Sequence, residues 1–378
     1  MEKLFSVIIV HFNQPQYWEA AILSVLNQNY TNIQLIFSDD GSENFVKADI
    51  ENFILQNRHY NLASYKILHN SQNLGTVQNI NRALLMADGD YISIIAADDA
   101  LYNEDVLNCY VKRFKTCSDI CGGIFALSVD CTEELKDTGQ YYINPKDAVI
   151  FNALSPLEQF KRLSYYCCIH LGAMAFTREM MKKYAPFDEK YKLIEDWPFL
   201  LRLTRTGGHL EYADFKSLKY RAGGISRPLS ERDETITQNI CKDHLKLYDN
   251  EILLYTPFFS FTQLKKILKK YDIDRSWMKK KAGDFISIKR IVILKHDPRV
   301  VFLLWDKLDV SLRRIIVCSF MSILYLILSQ FVTTVQPMTI FQKILMLIYL
   351  FLINVCAVIP TLHQVFKYLQ KYLFNPYE

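Results

Sequence analysis

The first hundred residues alternate short apolar runs with amphipathic segments, and this order limits the possible folds more than any other feature of the chain. Strands are predicted at residues 5–10, 33–37, 65–68 and 91–95. Helical spacing of apolar residues separates them at 17–26, 45–55 and 77–86. A βαβαβαβ order predicts an α/β fold with a mostly parallel central sheet, in which ligands bind beyond the carboxyl ends of the strands.

Two acidic pairs follow two of these predicted strands. Asp39 and Asp40 follow the second strand, and Asp98 and Asp99 follow the fourth. One such pair is typical of an ordinary turn, but parallel strands bring both pairs to the same edge of the sheet. Carboxylates there can hold a divalent cation that stabilises the charge on a leaving diphosphate, and Asp98 and Asp99 are the candidates to supply the oxygens.

A third acidic pair, Glu195 and Asp196, opens a stretch of helical spacing. Two interpretations stay open: the charges complement the helix dipole, or a carboxylate is the general base for an acceptor hydroxyl. Trp197 has two interpretations as well, as an apolar wall for an acceptor ring or as a core residue. For His170 we favour a packed histidine over a ligand contact.

The pattern becomes mixed after residue 100, with strand-like runs at 122–129 and 172–176 among helical stretches. We predict one catalytic domain over 1–256, with one half at 1–100 and a second half at 101–256. A polar loop is expected before residue 156, and the domain is expected to end near 256.

The last third of the chain combines lysines with apolar residues. Residues 258–281 have the composition of a basic amphipathic helix, which is either an ordinary solvated helix or a helix on a membrane surface. No charged residue occurs at 315–335 or 344–362, and each stretch approaches the roughly 20 residues that span a bilayer. We therefore predict a basic linker at 257–312 and a hydrophobic hairpin at 313–378 as membrane anchor, the alternative being a buried or interfacial hairpin.

The net charge and the cysteine content limit which partners the protein can have and in which cellular compartment it is expected. The net charge of +4 gives no reason to expect nucleic acid as a partner. The nine cysteines are an odd number and show no complete zinc-binding pattern, which indicates reduced thiols. The first apolar run is too short for a signal peptide, and basic residues flank the predicted hairpin. We expect the catalytic part at the cytoplasmic face of the cell membrane.

Six motifs in this order resemble one enzyme family. They are SVIIVHFN, FSDDGS, NLGTVQNINRAL, ADGDYISIIAADD, GAMAFTRE and EDWPFLLRL, spread over about residues 4–230. Together they resemble the family 2 inverting glycosyltransferases, which have the Rossmann-like GT-A fold. The resemblance implies a nucleotide-diphosphate sugar donor, a divalent cation (Mn²⁺ or Mg²⁺), and a glycan or polyprenyl-linked acceptor. Because no Gln-x-x-Arg-Trp motif follows the third acidic pair, one sugar per binding event is expected.

The resemblance implies that 1–100 bind the nucleotide-sugar and that 101–256 face the acceptor, and it assigns donor-binding roles by position. It implies that Phe12 and Asp39 line the nucleobase pocket, with Asp39 accepting a hydrogen bond from the base and Asp40 nearby. Asn81 and Arg82 would face the donor.

Catalytic and metal-binding roles follow from the same resemblance. Asp98 would lie toward the ribose or sugar and the cation, Asp99 would bind the cation, and Asp196 would be the base with Glu195 as its neighbour. Ala96 stands where many relatives carry the first Asp of the metal motif, so fewer protein ligands are expected. Relatives often place a histidine near the position after Arg221, and Arg221 is assigned to the phosphates instead.

We expect a bacterial-type surface glycan pathway, such as capsule or O-antigen, with UDP as the donor nucleotide by family frequency. One alternative is transfer to polyprenyl phosphate, giving a lipid-linked monosaccharide. A second, from another class, is a catalytically weak scaffold or glycan-binding subunit.

Overall fold

The computed structural model describes residues 2–222 and 234–278. These residues lie in the first of two compact units, Met1–His296. Within this described part, no helix is both long enough and apolar enough to cross a membrane. The predicted stretches at 315–335 and 344–362, and most of the predicted linker, lie outside the described residues. The domain limits at 256 and 312 therefore stay predictions.

Strands and helices have the following limits. The strands are β1 Phe5–His11, β2 Ile33–Asp39, β3 Leu62–His69, β4 Tyr91–Ala96, β5 Ala100–Leu101, β6 Cys121–Cys131, β7 Asp137–Tyr141, β8 Met174–Thr177 and β9 His209–Arg221. The helices are α1 Trp18–Leu26, α2 Lys47–Asn57, α3 Thr76–Leu84, α4 Val106–Phe114, α5 Pro145–Ile150, α6 Pro156–Leu163, α7 Arg178–Tyr184, α8 Asp196–Arg205, α9 Glu234–Leu247 and α10 Phe261–Met278. A short π-helix and a 3₁₀ helix, Tyr248–Ile252 and Leu253–Phe258, follow α9.

One sheet runs through the described chain in the order β3-β2-β1-β4-β8-β6-β9-β5, with β7 paired to β6. The βαβαβαβ prediction is confirmed, because β1 to β4 are parallel neighbours separated by α1, α2 and α3. The prediction of a mostly parallel sheet is wrong beyond β4. There β8 is antiparallel to β4 and β6, β7 to β6, and β5 to β9, while β6 and β9 are parallel. The chain passes from β6 to β8 through β7, α5 and α6, and β8 runs antiparallel to both of its neighbours.

Strands β5, β7 and β9 and helices α5, α6 and α7 were absent from the sequence-based prediction. The expected polar loop before residue 156 contains β7 and α5. No strand was expected at 209–221, where β9 runs for 13 residues. Polar residues such as Lys216 and Lys219 interrupt its apolar pattern, and pairing with β6 along most of its length holds it in the sheet.

Helix α10 packs with its apolar side against α9. The side chains of Leu264, Ile267, Leu268 and Tyr271 are buried. The ring centroid of Tyr271 lies 5.6 Å from that of Tyr248. The protein itself therefore covers the apolar side of this helix, and contact of 258–281 with a membrane surface stays a prediction.

Candidate active site

The carboxyl ends of β1, β2, β3 and β4 meet at one edge of the sheet, which we call the rim. The strand register pairs His11 with Asp39 and Asp39 with His69. Val10 pairs with Ala96, which places the Asp98–Asp99 turn beside the end of β1. The predicted convergence of the two acidic pairs at this edge is found.

Asp39 is fully buried at the rim and receives five hydrogen bonds. His11 Nδ1 lies 2.7 Å from its Oδ1 and His69 Nδ1 lies 2.8 Å from its Oδ2. The Ser42 hydroxyl donates to Oδ1 at 2.5 Å, and the N–H groups of Gly41 and Ser42 donate to Oδ2 at 3.0 and 2.9 Å. Burial acts to raise the pKa of Asp39, but the bonds from His11, Ser42 and His69 together outweigh it and lower the pKa to about 2.

An ionised Asp39 fixes the tautomer of both histidines. Each ring donates its Nδ1–H to the carboxylate, so a neutral ring presents Nε2 as an acceptor. Within the described residues, Nε2 of His11 is buried and has no hydrogen-bond partner. Asp39, predicted to accept a hydrogen bond from the base, already accepts five from the protein, and Nε2 of His11 beside it is an acceptor without a partner among the described residues.

A cleft of about 310 Å³ lies beside this cluster. Its walls are apolar at Trp18, Phe45 and Ile50, with His11 among its polar lining residues. The Phe45 ring stacks on His69 with centroids 4.7 Å apart and planes inclined by 7°. This combination of aromatic faces and a few polar atoms suits a flat heteroaromatic ring. Phe12 is 36% exposed and does not line the cleft.

Asp40 is directed away from the cleft and holds the loop between β3 and α3. Its Oδ1 accepts from the Asn70 side chain at 2.8 Å and from Leu74 N–H at 2.9 Å, and its Oδ2 accepts from Gly75 N–H at 2.9 Å. Gly75 has φ +94°, and a Cβ there would lie 2.8 Å from the side chain of Lys192. Asp40 thus positions a loop that touches the segment leading to Asp196.

Asn81 also contacts that segment instead of facing the rim. Its side chain donates to the Phe187 carbonyl and accepts from the Phe187 N–H, both at 2.9 Å, and donates to Glu189 at 3.0 Å. Arg82 is exposed and donates to the Asn70 side-chain oxygen. Arg82 therefore remains near the rim, whereas Asn81 joins two parts of the protein.

Arg221, at the end of β9, holds the Asp98–Asp99 turn. Its N–H donates to Asp99 Oδ1 at 2.9 Å and its Nε–H to the Asp98 carbonyl at 2.6 Å. Nη1 donates to the Glu133 carbonyl, and the guanidinium lies 4.4 Å from the Tyr17 ring. Arg221 is only 7% exposed and positions the two carboxylates, and its contact with phosphate stays a prediction.

Asp98 and Asp99 are two carboxylates at the rim that could hold a divalent cation. Burial, and then the neighbouring charge of Asp98, raise the pKa of Asp99 well above its usual range, a cost that a bound cation would relieve. Across residues 2–222 and 234–278, no group of three or more His, Cys, Asp or Glu side chains forms a metal cluster. Two carboxylates plus phosphate oxygens are a common arrangement for Mg²⁺.

Asp196 is the first residue of α8. Its Oδ1 accepts from the Trp197 N–H at 2.6 Å, which agrees with a helix-start role and leaves Oδ2 for other partners. Burial raises the pKa of Asp196, and burial together with the charge of Asp196 raises that of Glu195. A raised carboxylate pKa suits a general base near neutral pH. Trp197 is a core residue, 4% exposed, with Nε1 donating to the Leu163 carbonyl at 2.7 Å.

A stack of three aromatic rings lies between the Asp98–Asp99 turn and Asp196. His170 stacks between Tyr142, at 3.5 Å, and Tyr220, at 4.3 Å between ring centroids. Burial lowers the pKa of His170 to about 3, so the ring is neutral, as a packed histidine. Tyr220 precedes Arg221 in β9.

The other end of the stack reaches the residues around Asp196. The Tyr142 hydroxyl donates to the Cys167 carbonyl at 3.3 Å, and the Cys167 side chain, whose thiol donates to the Ile169 carbonyl at 3.7 Å, lies next to Asp196. The stack therefore connects the turn held by Arg221 with the predicted base.

The segment that leads to Asp196 is held by α9. Asp243 accepts from the N–H groups of Lys192 and Leu193 at 2.8 and 2.9 Å. Glu251 pairs with Lys190 at 2.7 Å.

Replacing Asp243 with alanine is expected to lower the free energy of unfolding by about 2 kcal/mol, because two backbone donors lose their acceptor. Urea denaturation measures this, with the exposed Asp119→Ala as control. An equal midpoint for the two variants would contradict the proposed anchoring.

Several residues of the site were not among those predicted from the sequence. His69 ends β3 as Asp39 ends β2, so the strand-end rule applied to the third strand would have found it. The stacking partners of His170 and the positioning contacts of Arg221 carry no local signal, since their partners lie far away in the chain.

The fold and the site together define an α/β domain. Its parallel half has the strand and helix order of nucleotide-binding folds, and its rim carries carboxylates. Residues 6–185 match the family model described as Glycosyl transferase family 2. An uncharacterized glycosyltransferase of Haemophilus influenzae is 24% identical over 277 residues, 72% of this chain and 82% of that protein. The putative colanic acid biosynthesis glycosyl transferase WcaA of Escherichia coli is 25% identical over 53% of this chain and 66% of its own length.

Among solved structures, S. aureus TarS 1–349 in complex with UDP-GlcNAc is similar with a TM-score of 0.48 and 16% identity, covering 80% of each chain. Residues 6–185 are therefore similar to a family 2 glycosyltransferase domain, and the described part of the chain has an α/β, Rossmann-like fold. Asp196 lies beyond the matched residues, so its role stays a prediction.

Proposed function

We propose that this protein transfers one sugar, with inversion, from a nucleotide-diphosphate hexose to a saccharide or polyprenyl-linked acceptor. The observation that carries the proposal is that the protein connects two carboxylate sites, the Asp98–Asp99 turn at the rim and Asp196 at the start of α8. The Asp98–Asp99 turn is held at the rim by Arg221, and Asp196 is connected to it through the aromatic stack.

The proposed chemistry needs one base. Asp196 accepts the proton of the acceptor hydroxyl while that oxygen attacks the anomeric carbon of the donor sugar. The bond from the anomeric carbon to the diphosphate breaks on the opposite face, and the nucleoside diphosphate leaves with the bonding electrons. The raised pKa of Asp196 favours this proton transfer near neutral pH.

The donor is proposed to span the rim. Its base, uracil by expectation, would enter the cleft beside His11 and Phe45, and its diphosphate would lie toward the Asp98–Asp99 turn. Asp99 and Asp98 would hold Mn²⁺ or Mg²⁺, which neutralises charge that develops on the leaving diphosphate.

The proposed place is the cytoplasmic face of the cell membrane, in surface polysaccharide biosynthesis such as that of capsule or O-antigen. Support comes from the uncharged stretches at 315–335 and 344–362 and from WcaA among the relatives. Transfer to polyprenyl phosphate is the alternative, and product analysis with polyprenyl phosphate and polyprenyl-diphosphate-linked saccharides separates the two.

A nucleotide-release screen of purified protein tests the activity. UDP-, GDP- and dTDP-sugars are supplied with Mn²⁺, Mg²⁺ or a chelator, and nucleotide release is measured. Cation-dependent release with UDP-sugars is expected. Absence of both binding and release for every donor would favour the catalytically weak scaffold.

Asp99→Asn is expected to reduce release at saturating Mn²⁺ by about 10²-fold, because the cation loses its buried ligand. The asparagine still accepts from Arg221, and it removes a carboxylate whose raised pKa costs stability above the ordinary carboxylate range. The melting temperature at neutral pH should therefore rise or stay equal. Wild-type metal titration in the variant would refute a ligand role.

A further inference from the structure

Helix α10 has an exposed basic side. Lys265, Lys266 and Lys269 are exposed and Lys270 is half-buried. Within the part of the chain that the structure describes, none of the four forms an ion pair with a carboxylate. Four positive charges are thus concentrated within two turns of a helix whose opposite side is fixed against the protein.

Two tyrosines flank this basic side. The Lys266 ammonium lies 4.9 Å from the centre of the Tyr165 ring, and the Lys270 ammonium lies 5.3 Å from that of Tyr166. Tyr166 is 45% exposed. Lys265, Lys266, Lys269 and Lys270, with the two tyrosines, are called the α10 lysine face.

Exposed apolar side chains occur in the 3₁₀ segment Leu253–Phe258, which packs on α6. Leu254 is 60% and Phe258 is 52% exposed. The Phe258 ring lies 6.4 Å from Tyr255, which packs at 5.5 Å against Phe160 of α6. Lysine, tyrosine and isolated apolar side chains together are typical of surfaces at the water boundary of a membrane.

We propose that the α10 lysine face docks onto the headgroups of an anionic lipid bilayer. Charge complementarity supports lipid as the partner, because clusters of four or more lysines beside a membrane bind acidic headgroups. The sequence supports it as well, since Lys279, Lys280 and Lys281 continue the basic run and two uncharged stretches follow. Docking is electrostatic and shallow, because α9 already occupies the apolar side of α10.

The proposal does not depend on the proposed transferase activity. Lysine acylation measured by mass spectrometry tests it on the full chain, reconstituted in phosphatidylcholine vesicles with or without about 30% phosphatidylglycerol. Labelling of Lys265, Lys266 and Lys269 is expected to fall about fivefold in the anionic vesicles. About 1 M NaCl should restore it, because the screening length drops to about 3 Å.

Lysines on other helices are the internal control. Lys112, Lys115, Lys146 and Lys183 are exposed, and Lys183 also lies 5.0 Å from a tyrosine ring. Their labelling is expected to be equal in both vesicles.

A variant pair gives a second measurement by hydrogen–deuterium exchange of 261–278. The four lysines of the α10 lysine face are replaced with glutamine in one variant and the four control lysines in the other. Anionic vesicles should slow exchange in the control variant and not in the first. Equal labelling in both vesicles would overturn the proposal, and so would protection by a soluble anionic polysaccharide without protection by anionic vesicles.

Discussion

Replacing Asp196 with asparagine is expected to reduce the rate of sugar transfer by about 10³-fold, because a positioned general base contributes about 10²- to 10⁴-fold. The amide retains an oxygen that can accept from the Trp197 N–H, so the start of α8 and the fold should be preserved. Single-turnover transfer at saturating donor measures the effect, and the affinity for the nucleotide should stay equal to that of the wild type.

Glu195→Gln is the matched control, because it changes the adjacent carboxylate and leaves the proposed base in place. Its effect should be much smaller than that of Asp196→Asn. Because burial raises the pKa of Asp196, the acid limb of the rate against pH should lie above pH about 4, the usual range of an aspartate. Transfer by Asp196→Asn within about tenfold of wild type would exclude this base, since general bases contribute more.

The parallel half of the sheet was predictable because β2 is buried along its whole length and β1 at every residue except Val10. Strands covered on both faces are continuous apolar runs, which the sequence shows directly. β9 was missed because its outer residues stay polar while pairing with β6 holds it in the sheet. Strand direction beyond β4 depends on where long connections return, and local spacing carries no such information.

The rim was predictable from strand ends, but the partners of its side chains were not. From the sequence, Asp40 and Asn81 are suitable residues for binding a ligand. In the structure, the side chains of both form hydrogen bonds that hold loops. Helix α10 shows the same limit: the spacing of its leucines predicts an apolar side, and only the position of α9 determines what covers it. Hydrogen-bond partners far apart in the chain are properties of the tertiary structure.

Asp39→Asn is expected to lower the free energy of unfolding at neutral pH by about 2 kcal/mol or more, because buried hydrogen bonds to a charged group are lost. The folded pKa of Asp39 is about 2, below its ordinary value of 3.8. Its ionised form therefore stabilises the fold above pH about 4, and that stabilisation disappears as the pH falls toward about 2. Asp39→Asn should remove this part of the pH dependence.

Urea denaturation at several pH values between about 2 and 7 measures the change, with Asp119→Asn as the exposed control. In Asp39→Asn the rings of His11 and His69 lose the carboxylate that fixes their tautomers, so UDP affinity, measured by calorimetry, should fall about tenfold. Equal stability of both variants at every pH would show that the bonds to Asp39 contribute little to the fold. Unchanged UDP affinity in a destabilised variant would separate the cluster's structural role from donor binding.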